Sequence, residues 1–422
     1  MADSNKHTPL LRFPEFLNDE EWAMDSMESI FEIKNGYTPS KSNPDFWTDG
    51  TIPWFRMEDI RKNGHILSDS IQHITPSAVK SAGLFPAYSI IVATTATIGE
   101  HALIIVDSLA NQRFTFLTKR KSFDNRIDMV YFHYFMFIID EWCKQNTNAG
   151  GLLSVNMDAF KKLVIPYPAS LSEQRKIAEC FSSIDKQIAA TKRKLEQLKE
   201  HKRGLMQRIF PAKGKTVPEL RFNEFRNAGE WNNKKLGECL LQSPDYGLNS
   251  PAVPYNPLLN TYLRITDISE NGRFISETKV SVDATLTDDN SLHDGDIVLA
   301  RTGASVGKSY KYRKEDGNLI FAGFLIRIKP NTTKYNSEFI FQYLQTDIYR
   351  NWVNITSARS GQPGINSNEY SSLSIPFPSL NEQQKIAECL MSIDELIRLY
   401  ESKVTLLDQH KKGLMQQLFP KL

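Results

Sequence analysis

The sequence lacks the features that mark membrane proteins, secreted proteins and zinc-ribbon proteins. No apolar run in its 422 residues approaches the length needed to cross a bilayer. The polar start, Met1-Ala-Asp-Ser4, leads into no signal-peptide core. The four cysteines (Cys143, Cys180, Cys239 and Cys389) show no Cys-x-x-Cys spacing, which disfavours a zinc ribbon or a redox pair. We therefore expect a cytoplasmic protein with reduced thiols and no membrane partner.

Motifs for cofactors and catalysis are also missing. The eight histidines form no His-Glu-x-x-His, and there is no Gly-x-Gly-x-x-Gly and no Asn-Pro-Pro-Tyr or Asp-Pro-Pro-Tyr. Gly303 to Ser309 resembles a phosphate loop, but three residues separate Gly303 from Gly307 where the motif needs four. The corresponding segment of the first half, Thr95–Glu100, has an acid in place of Lys308. We expect no catalytic residue, no cofactor site and no metal site in this chain.

Charge gives little information about partners. The 51 basic and 49 acidic residues leave a net charge of +2. A protein that binds nucleic acid through bulk attraction is usually more basic. Any nucleic-acid surface must therefore be sought locally.

The strongest signal is an internal repeat. Leu171–Cys180 recurs as Leu380–Cys389, an offset of 380 − 171 = 209 residues. The same offset joins three further pairs of segments: His201–Gln207 with His410–Gln416, Phe210-Pro211 with Phe419-Pro420, and Pro9–Phe16 with Pro218–Phe225. A shared offset of this kind indicates a duplicated unit.

The halves diverge between the shared blocks, over residues 23–164 and 232–374. We predict two mixed α/β domains there. The predicted strands are Ser89–Ala93, Ala102–Val106, Phe114–Thr118, Ile297–Ala300 and Phe324–Ile328, and the predicted helices lie near Met129–Trp142 and Ser337–Trp352. Similar scaffolds with different surfaces suit two modules that read different targets.

Each shared block predicts a long helix with a coiled-coil seam. Seam residues recur at alternating steps of four and three over more than four heptads. They are Ile177, Phe181, Ile184, Ile188, Thr191, Leu195, Leu198, Lys202, Leu205 and Ile209 in the first helix, and Ile386, Leu390, Ile393, Ile397, Tyr400, Val404, Leu407, Lys411, Leu414 and Leu418 in the second. The lysine shared by both seams would fix the register or face another protein. The alternative, in which each helix packs only on its own domain, leaves so long a seam unexplained.

Connectivity predicts that the two helices are antiparallel. The first helix ends where the second domain begins, so pairing along the seam requires the second helix to run back, which gives a pseudo-twofold arrangement. Ser172 and Asn381 suit N-caps, and Pro211 and Pro420 would end the helices. Roughly 38 residues at 1.5 Å each make a rod of about 57 Å.

Several loops combine basic, polar and aromatic residues. Arginine reads guanine, asparagine and glutamine read adenine, and lysine, serine and threonine hold phosphates. For any single residue an ordinary solvated loop is the commoner explanation, so only the set is persuasive. The candidates for DNA binding are Thr38, Lys41, Arg56, Arg61, Lys62, Arg113, Arg264, Arg301, Thr302, Ser305, Lys308, Lys311, Arg359 and Gln362.

The order of domains and helices closely resembles the specificity subunits of type I restriction–modification enzymes. The most specific phrases are Ile165-Pro-Tyr-Pro168 followed by Leu171–Ile177, and their repeat at Ile375–Ile386. Gly36-Tyr-Thr-Pro39 and Gly295–Gly303 also resemble parts of the family's target-recognition domains, although the second domain lacks the Gly-Tyr-Thr-Pro phrase. The implied domains are recognition domain 1 with the N-terminal segment (1–170), long helix 1 (171–211), a linker (212–226), recognition domain 2 (227–379) and long helix 2 (380–422).

The resemblance implies partners as well as a function. Each recognition domain would read one half of a split, asymmetric sequence in double-stranded DNA, and the helices would set the unread spacer and bind two modification subunits. Those subunits would carry S-adenosylmethionine and methylate adenine, and two restriction subunits would supply ATP- and Mg²⁺-dependent translocation and cleavage. Two alternatives stay open: a coiled-coil scaffold that binds only proteins, and a DNA enzyme with a degenerate site.

Overall fold

A computed structural model describes residues 8–81, 83–148, 153–285, 287–358 and 362–422. The chain forms two compact units. Unit 1 takes the described parts of residues 1–191 and 403–422, and unit 2 takes those of 192–402. Each long helix therefore contributes to both units.

Unit 1 contains ten strands and the start of the first long helix among its described residues. The strands are β1 (Ala23–Ser26), β2 (Phe31–Asn35), β3 (Ile52–Phe55), β4 (Ile66–Leu67), β5 (His73–Ile74), β6 (Ser89–Ala93), β7 (His101–Ile104), β8 (Leu109–Ala110), β9 (Phe114–Lys119) and β10 (Val164–Tyr167). The helices are α1 (Met27–Ile30), α2 (Met57–Asn63), α3 (Met129–Gln145), α4 (Met157–Lys162) and α5 (Leu171–Ile209). The sheet orders are β2-β9-β6-β7-β4, β5-β3-β8 and β1-β10.

Unit 2 repeats this plan. Its strands are β11 (Asn232–Lys235), β12 (Asp245–Tyr246), β13 (Ala252–Val253), β14 (Asn260–Leu263), β15 (Val280–Val282), β16 (Ile297–Ala300), β17 (Ser309–Lys311), β18 (Leu319–Phe321), β19 (Leu325–Ile328) and β20 (Ser374–Phe377). Its helices are α6 (Ser337–Tyr343), α7 (Asp347–Ser357), α8 (Ser367–Ser371) and α9 (Leu380–Leu418). The sheet orders are β12-β19-β16-β17, β13-β15-β14-β18 and β11-β20.

Strand register shows which residues of the two units correspond. Ala93 pairs with Phe114 in unit 1, and Ala300 pairs with Leu325 in unit 2. The local offsets are therefore 300 − 93 = 207 and 325 − 114 = 211, on either side of the 209 that separates the shared blocks. Loops of different length therefore shift the register between the two halves by two residues in either direction.

The predicted mixed α/β fold is confirmed, with two differences in its helices. Ser337–Trp352 was predicted as one helix, but α6 ends at Tyr343 and α7 begins at Asp347. Thr346 separates them because its side chain caps α7 by accepting the amide of Tyr349 at 3.2 Å.

The predicted N-caps of the long helices are wrong by two residues. The helices begin at Leu171 and Leu380, so Ser172 and Asn381 lie inside them. The capping position is the residue before each helix, two residues earlier than predicted. In α9 the Ser379 hydroxyl accepts the amide of Glu382 at 3.4 Å, so the serine before the helix fills the capping role.

The long helices run antiparallel within each unit. In unit 1 Phe181 near the start of α5 stacks on Phe419 just beyond α9, with ring centroids 5.5 Å apart. In unit 2 Lys199 near the end of α5 contacts Glu401 of α9 at 3.0 Å. Unit 1 also pairs Asp185 with Lys411, and unit 2 also pairs Lys202 with Asp394. Within each unit the residue numbers therefore rise on α5 as they fall on α9, as antiparallel pairing requires.

Candidate nucleic-acid interface

The shared phrase Leu-x-Glu-Gln ties each long helix to its domain. Arg12 donates two hydrogen bonds of 2.7 Å to the buried carboxylate of Glu173, and Arg221 does the same to Glu382. The proximity of each carboxylate raises the pKa of the arginine that pairs with it. These residues are constant between the halves because they form a structural joint.

The glutamine of the phrase completes this joint. Gln174 accepts the amide of Asp128 at 2.8 Å, at the start of α3, and donates to the carbonyl of Pro168. Gln383 makes the equivalent bonds to the amide of Asn336 at 2.9 Å and the carbonyl of Pro378 at 3.0 Å. A single glutamine thus fixes the start of each long helix to the start of a domain helix, α3 in unit 1 and α6 in unit 2.

The lysine shared by the two seams forms an ion pair between the helices. Lys202 donates to Asp394 at 2.7 Å in unit 2, and Lys411 donates to Asp185 at 2.6 Å in unit 1. Each aspartate also accepts a hydrogen bond from a domain helix: Asp394 from Gln342 of α6 at 2.8 Å, and Asp185 from Tyr134 of α3 at 2.9 Å. The seam lysines therefore link helix to helix and, through the aspartate, helix to domain.

The apolar seam positions are buried or half-buried throughout. Among the most enclosed are Phe181, fully buried, and Ile386 at 1 % exposure. The other buried seam positions are Ile177, Ile184, Ile188, Thr191, Leu195, Ile209, Leu390, Ile397 and Leu418. Those of intermediate exposure are Leu198, Leu205, Ile393, Tyr400, Val404, Leu407 and Leu414.

In the first domain the structure brings together the segments that carry three of the candidates, Thr38, Arg56 and Arg113. Thr38 donates from its hydroxyl to the Gln112 side chain. The amide of Asn111 donates to the carbonyl of Phe55 at 3.1 Å, which sets the segment 111–113 beside Arg56. The loop after β2, the end of β3 and the turn before β9 therefore meet at one place, and Arg113 is exposed there.

A glycine allows this close approach in both domains. A β-carbon on Gly36 would lie 2.3 Å from the carbonyl oxygen of Ala110, and one on Gly247 would lie 2.3 Å from that of Ala322. The structure thus aligns the Gly247 loop of the second domain, which lacks the Gly-Tyr-Thr-Pro phrase, with the Gly36 loop of the first. A buried aromatic residue secures each loop: Trp54 donates to the carbonyl of Tyr37 at 3.0 Å, and Tyr262 to that of Leu248 at 2.5 Å.

The other candidates of the first domain lie on exposed surface. Arg61 and Lys62 are in the last turn of α2, and Lys41 is in the loop before β3. Arg56 is half-buried, with its guanidinium 5.9 Å from the centre of the Trp54 ring and 3.8 Å from the Glu58 carboxylate. These four cations are open to solvent in whole or in part, as contact with phosphates requires.

In the second domain one group of candidates clusters at the corresponding place. The guanidinium of Arg301 lies 4.9 Å from the centre of the Tyr246 ring. Thr302 pairs with Gly364 in an isolated bridge, which brings it near the exposed Gln362. Ser305 is half-buried in the adjoining turn. Arg359 lies outside the described residues.

Three further cations of the second domain have roles within the fold. Arg264 forms a bidentate pair with buried Asp267 at 2.9 and 2.7 Å, and this contact raises the pKa of the guanidinium. Lys308 binds the carbonyl of Ile268 at 3.0 Å and Glu270 at 2.7 Å. Lys311 is 14 % exposed and faces Glu338 at 3.4 Å. A cation that already forms such hydrogen bonds and ion pairs contributes less binding energy when it contacts a phosphate.

The segment that resembles a phosphate loop is a scaffold turn. The amide of Gly307 donates to Ala300 at 2.9 Å, and that of Gly99 donates to Ala93 at 3.0 Å. Gly303 and Ala96 share the left-handed conformation, with φ of 76° and 66°. The chain therefore reverses in the same way at this place in both units, with Ala96 in one unit where the other has Gly303.

A buried histidine cluster in unit 1 was not foreseen from the sequence. The Nδ1 atom of His101 lies 2.6 Å from Asp140, and its Nε2 atom lies 3.0 Å from the carbonyl of His133. Burial lowers the pKa of His133 well below its usual value and, more modestly, that of His65. Within the described ranges, no group of three His, Cys, Asp or Glu side chains is arranged to hold a metal ion.

No described helix is both long enough and apolar enough to cross a membrane.

Comparison with known proteins identifies the family. The family model described as "Type I restriction modification DNA specificity domain" matches residues 19–200 and 223–407. The chain is 47 % identical over 174 residues to the type I restriction enzyme EcoprrI specificity subunit of Escherichia coli, covering 40 % of this chain and 43 % of that protein. It thus spans less than half the length of that relative. It is 24 % identical over 389 residues to the StySPI specificity subunit of Salmonella potsdam, covering 87 % of this chain and 81 % of that one.

A solved structure shares the fold over the whole length. The type I restriction–modification S subunit from M. genitalium superimposes with a TM-score of 0.60 at 16 % identity, covering 98 % of this chain and all of that one. The family matches take in most of the sequence, once in each half of the repeat. The chain therefore belongs to the type I restriction–modification DNA specificity family, as a specificity subunit with two target-recognition domains.

Proposed function

We propose that this chain is the non-catalytic DNA-reading subunit of a type I restriction–modification complex. Each domain reads one half of a bipartite, asymmetric target in double-stranded DNA. The observation that carries this proposal is a single scaffold, built twice, with different side chains at its loop positions. Tyr246 and Arg301 of the second domain, for example, correspond to Asn35 and Thr94 of the first.

The proposal includes a role for the helices in assembly. The side of α5 away from its seam carries exposed cations, among them Lys192, Arg193 and Lys194. We assign this outer surface to the docking of two modification subunits, which would carry S-adenosylmethionine and methylate adenine. Two restriction subunits with ATP and Mg²⁺ would join the full complex, and the specificity subunit would be required for both methylation and cleavage.

The helices are also proposed to set the unread spacer. At 1.5 Å per residue, a 39-residue helix is about 58 Å long. Inserting one heptad after Leu198 and another after Leu407 should lengthen the pair by about 10 Å. The spacer should then grow by about three base pairs, at roughly 3.4 Å each, while both half-sites stay the same.

Long-read mapping of methylated adenines in cells that carry the complex measures half-sites and spacer together. A matched control places the heptad in α5 alone. The seam can then keep Lys202 paired with Asp394 or Lys411 paired with Asp185 but not both, so methylation should be abolished. Methylation at the original spacer by the doubly extended protein would contradict the spacer role.

A second experiment tests whether the domains act independently. Replacing residues 23–164 with the same region of another specificity subunit should change one half-site and leave the other unchanged. If both half-sites change, the domains do not read independently. Methylation or cleavage by the purified chain alone would show that it is an enzyme, and binding of the complex without sequence preference at moderate salt would favour a protein scaffold.

A further inference from the structure

Three chain segments of the second domain converge at one end of its sheet β12-β19-β16-β17. Tyr246 ends β12, Phe324 precedes β19, and Arg301 follows β16. These strands are neighbours in the sheet, and the amide of Arg301 donates to the carbonyl of Phe324 at 3.0 Å. With the Arg301 guanidinium 4.9 Å from the Tyr246 ring, we call these three residues the aromatic–arginine cluster.

The cluster exposes apolar surface that the fold does not use. Phe324 is 60 % exposed and Tyr246 is 43 % exposed, while the next residue along the chain, Leu325, is fully buried. Exposed aromatic rings beside an arginine suit contact with bases: phenylalanine packs on thymine methyl groups or between base steps, and arginine reads guanine. Arg301 has one face on Tyr246, which limits the directions its guanidinium can take.

The first domain has different side chains at the corresponding positions. Because Ala93 corresponds to Ala300 and Phe114 to Leu325, Thr94 stands in place of Arg301 and Arg113 in place of Phe324. Asn35 stands in place of Tyr246, since each pairs with the second residue of the neighbouring strand. The first domain thus offers an exposed arginine and an asparagine where the second offers two aromatic residues and an arginine.

We propose that the aromatic–arginine cluster determines the specificity of the second domain, with Phe324 making apolar contact with bases and Arg301 reading guanine. Asn35 and Arg113 at the corresponding positions determine the specificity of the first domain. This inference rests on the proposed function and deepens it, because it assigns the difference between the half-sites to particular positions on a shared scaffold.

The test uses the complex of this chain with its modification subunits and DNA duplexes that carry the mapped target. Phe324→Ala and Arg301→Gln should each weaken binding about tenfold or more and relax discrimination in the half-site of the second domain only. Arg113→Ala should do the same in the other half-site only. The matched control is Leu258→Ala, which removes another exposed side chain of the second domain (91 % exposed) and should leave affinity and specificity unchanged.

Two modified duplexes distinguish the sources of the apolar contact. Replacing thymine by uracil removes only methyl groups. If Phe324 packs on a methyl group, the wild-type complex binds the uracil duplex more weakly than the thymine duplex. The Phe324→Ala complex, which lacks that contact, should then bind both duplexes with equal affinity. A Phe324 that inserts between bases instead raises the fluorescence of 2-aminopurine placed at that step. If neither duplex responds, Phe324 makes no apolar contact and its assigned role fails.

The two proposals fail in different ways. A wild-type complex that binds all duplexes equally overturns the proposed function. A wild-type complex that is specific, with variants that melt at the wild-type temperature and keep wild-type discrimination in both half-sites, overturns only the cluster assignment.

Discussion

The buried pair Arg221–Glu382 allows a sharp test of the joint between domain and long helix. The two side chains are 8 % and 1 % exposed, and both hydrogen bonds between them measure 2.7 Å. Arg221 also donates to the carbonyls of Ala228 and Gly229, at 2.7 and 3.1 Å. Arg221→Ala removes all four bonds and leaves the Glu382 carboxylate buried without its cation.

The magnitude follows from the burial of that carboxylate. Breaking a buried ion pair by removing one partner costs about 3–5 kcal/mol, because the remaining charge stays desolvated. We therefore expect Arg221→Ala to lower the free energy of unfolding of unit 2 by about 3–5 kcal/mol. Replacing both residues with leucine removes the charge as well, so the double variant should be more stable than Arg221→Ala alone.

The assay is urea unfolding of the whole chain, followed by hydrogen exchange so that the loss can be located in unit 2. Arg208→Ala provides a matched control in the same unit, because it breaks an arginine–glutamate pair of similar length, 2.8 Å, whose partners are 54 % and 70 % exposed. An exposed pair of this kind should change stability by less than about 1 kcal/mol. If Arg221→Ala costs no more than Arg208→Ala, the joint does not stabilise the fold in the way that its burial implies.

Further predictions concern backbone packing and pH. Gly247→Ala should destabilise unit 2 by about 2 kcal/mol or more in urea unfolding, because its β-carbon would lie 2.3 Å from two carbonyl oxygens. Gly204→Ala and Gly413→Ala lie in helix interiors, where the new β-carbon would meet nothing within 4 Å beyond its chain neighbours and its own helix backbone. Each should raise stability by roughly 0.5–1 kcal/mol, and a loss at either position would contradict this. Burial lowers the pKa of His133, so below pH about 6.5 the unfolded chain binds a proton that the folded chain excludes, and stability falls as pH falls. His133→Leu should flatten this dependence by up to about 1.4 kcal/mol per pH unit between pH 6.5 and 5, and an unchanged slope would show that His133 does not contribute.

The sequence predicted the elements with strong local signals. The strands Ser89–Ala93 and Ile297–Ala300 are confirmed at both ends, since each is a fully buried apolar run bounded by loop residues. The break between α6 and α7 was missed, because Tyr349 continues the apolar pattern while a single threonine hydroxyl caps the second helix. Apolar periodicity reports which face is buried and does not report a cap.

The candidate interface was predictable only in outline. Loop composition drew attention to Arg113 and Arg301, which lie on neighbouring strand ends of the shared scaffold, one in each unit. It also drew attention to Arg264, whose bidentate bond to Asp267 could not be seen without the fold. Phe324 was assigned to a strand, because exposure at a turn depends on strand register and not on residue type. These residues remain predictions for DNA contact.

Unit 1 is built from two separate stretches of the chain, and this determines when it can fold during synthesis. Leu418 and Phe419 are each 2 % exposed in a core cluster of unit 1 whose other buried residues all come from the first 181 positions. The ribosome must therefore make all of unit 2 before unit 1 can close, although domains usually fold in the order of their synthesis. Unit 2, formed from one continuous stretch of chain, can fold first. Until then the nascent first domain exposes the aromatic surface around Tyr131 and Phe181 that Phe419 finally covers.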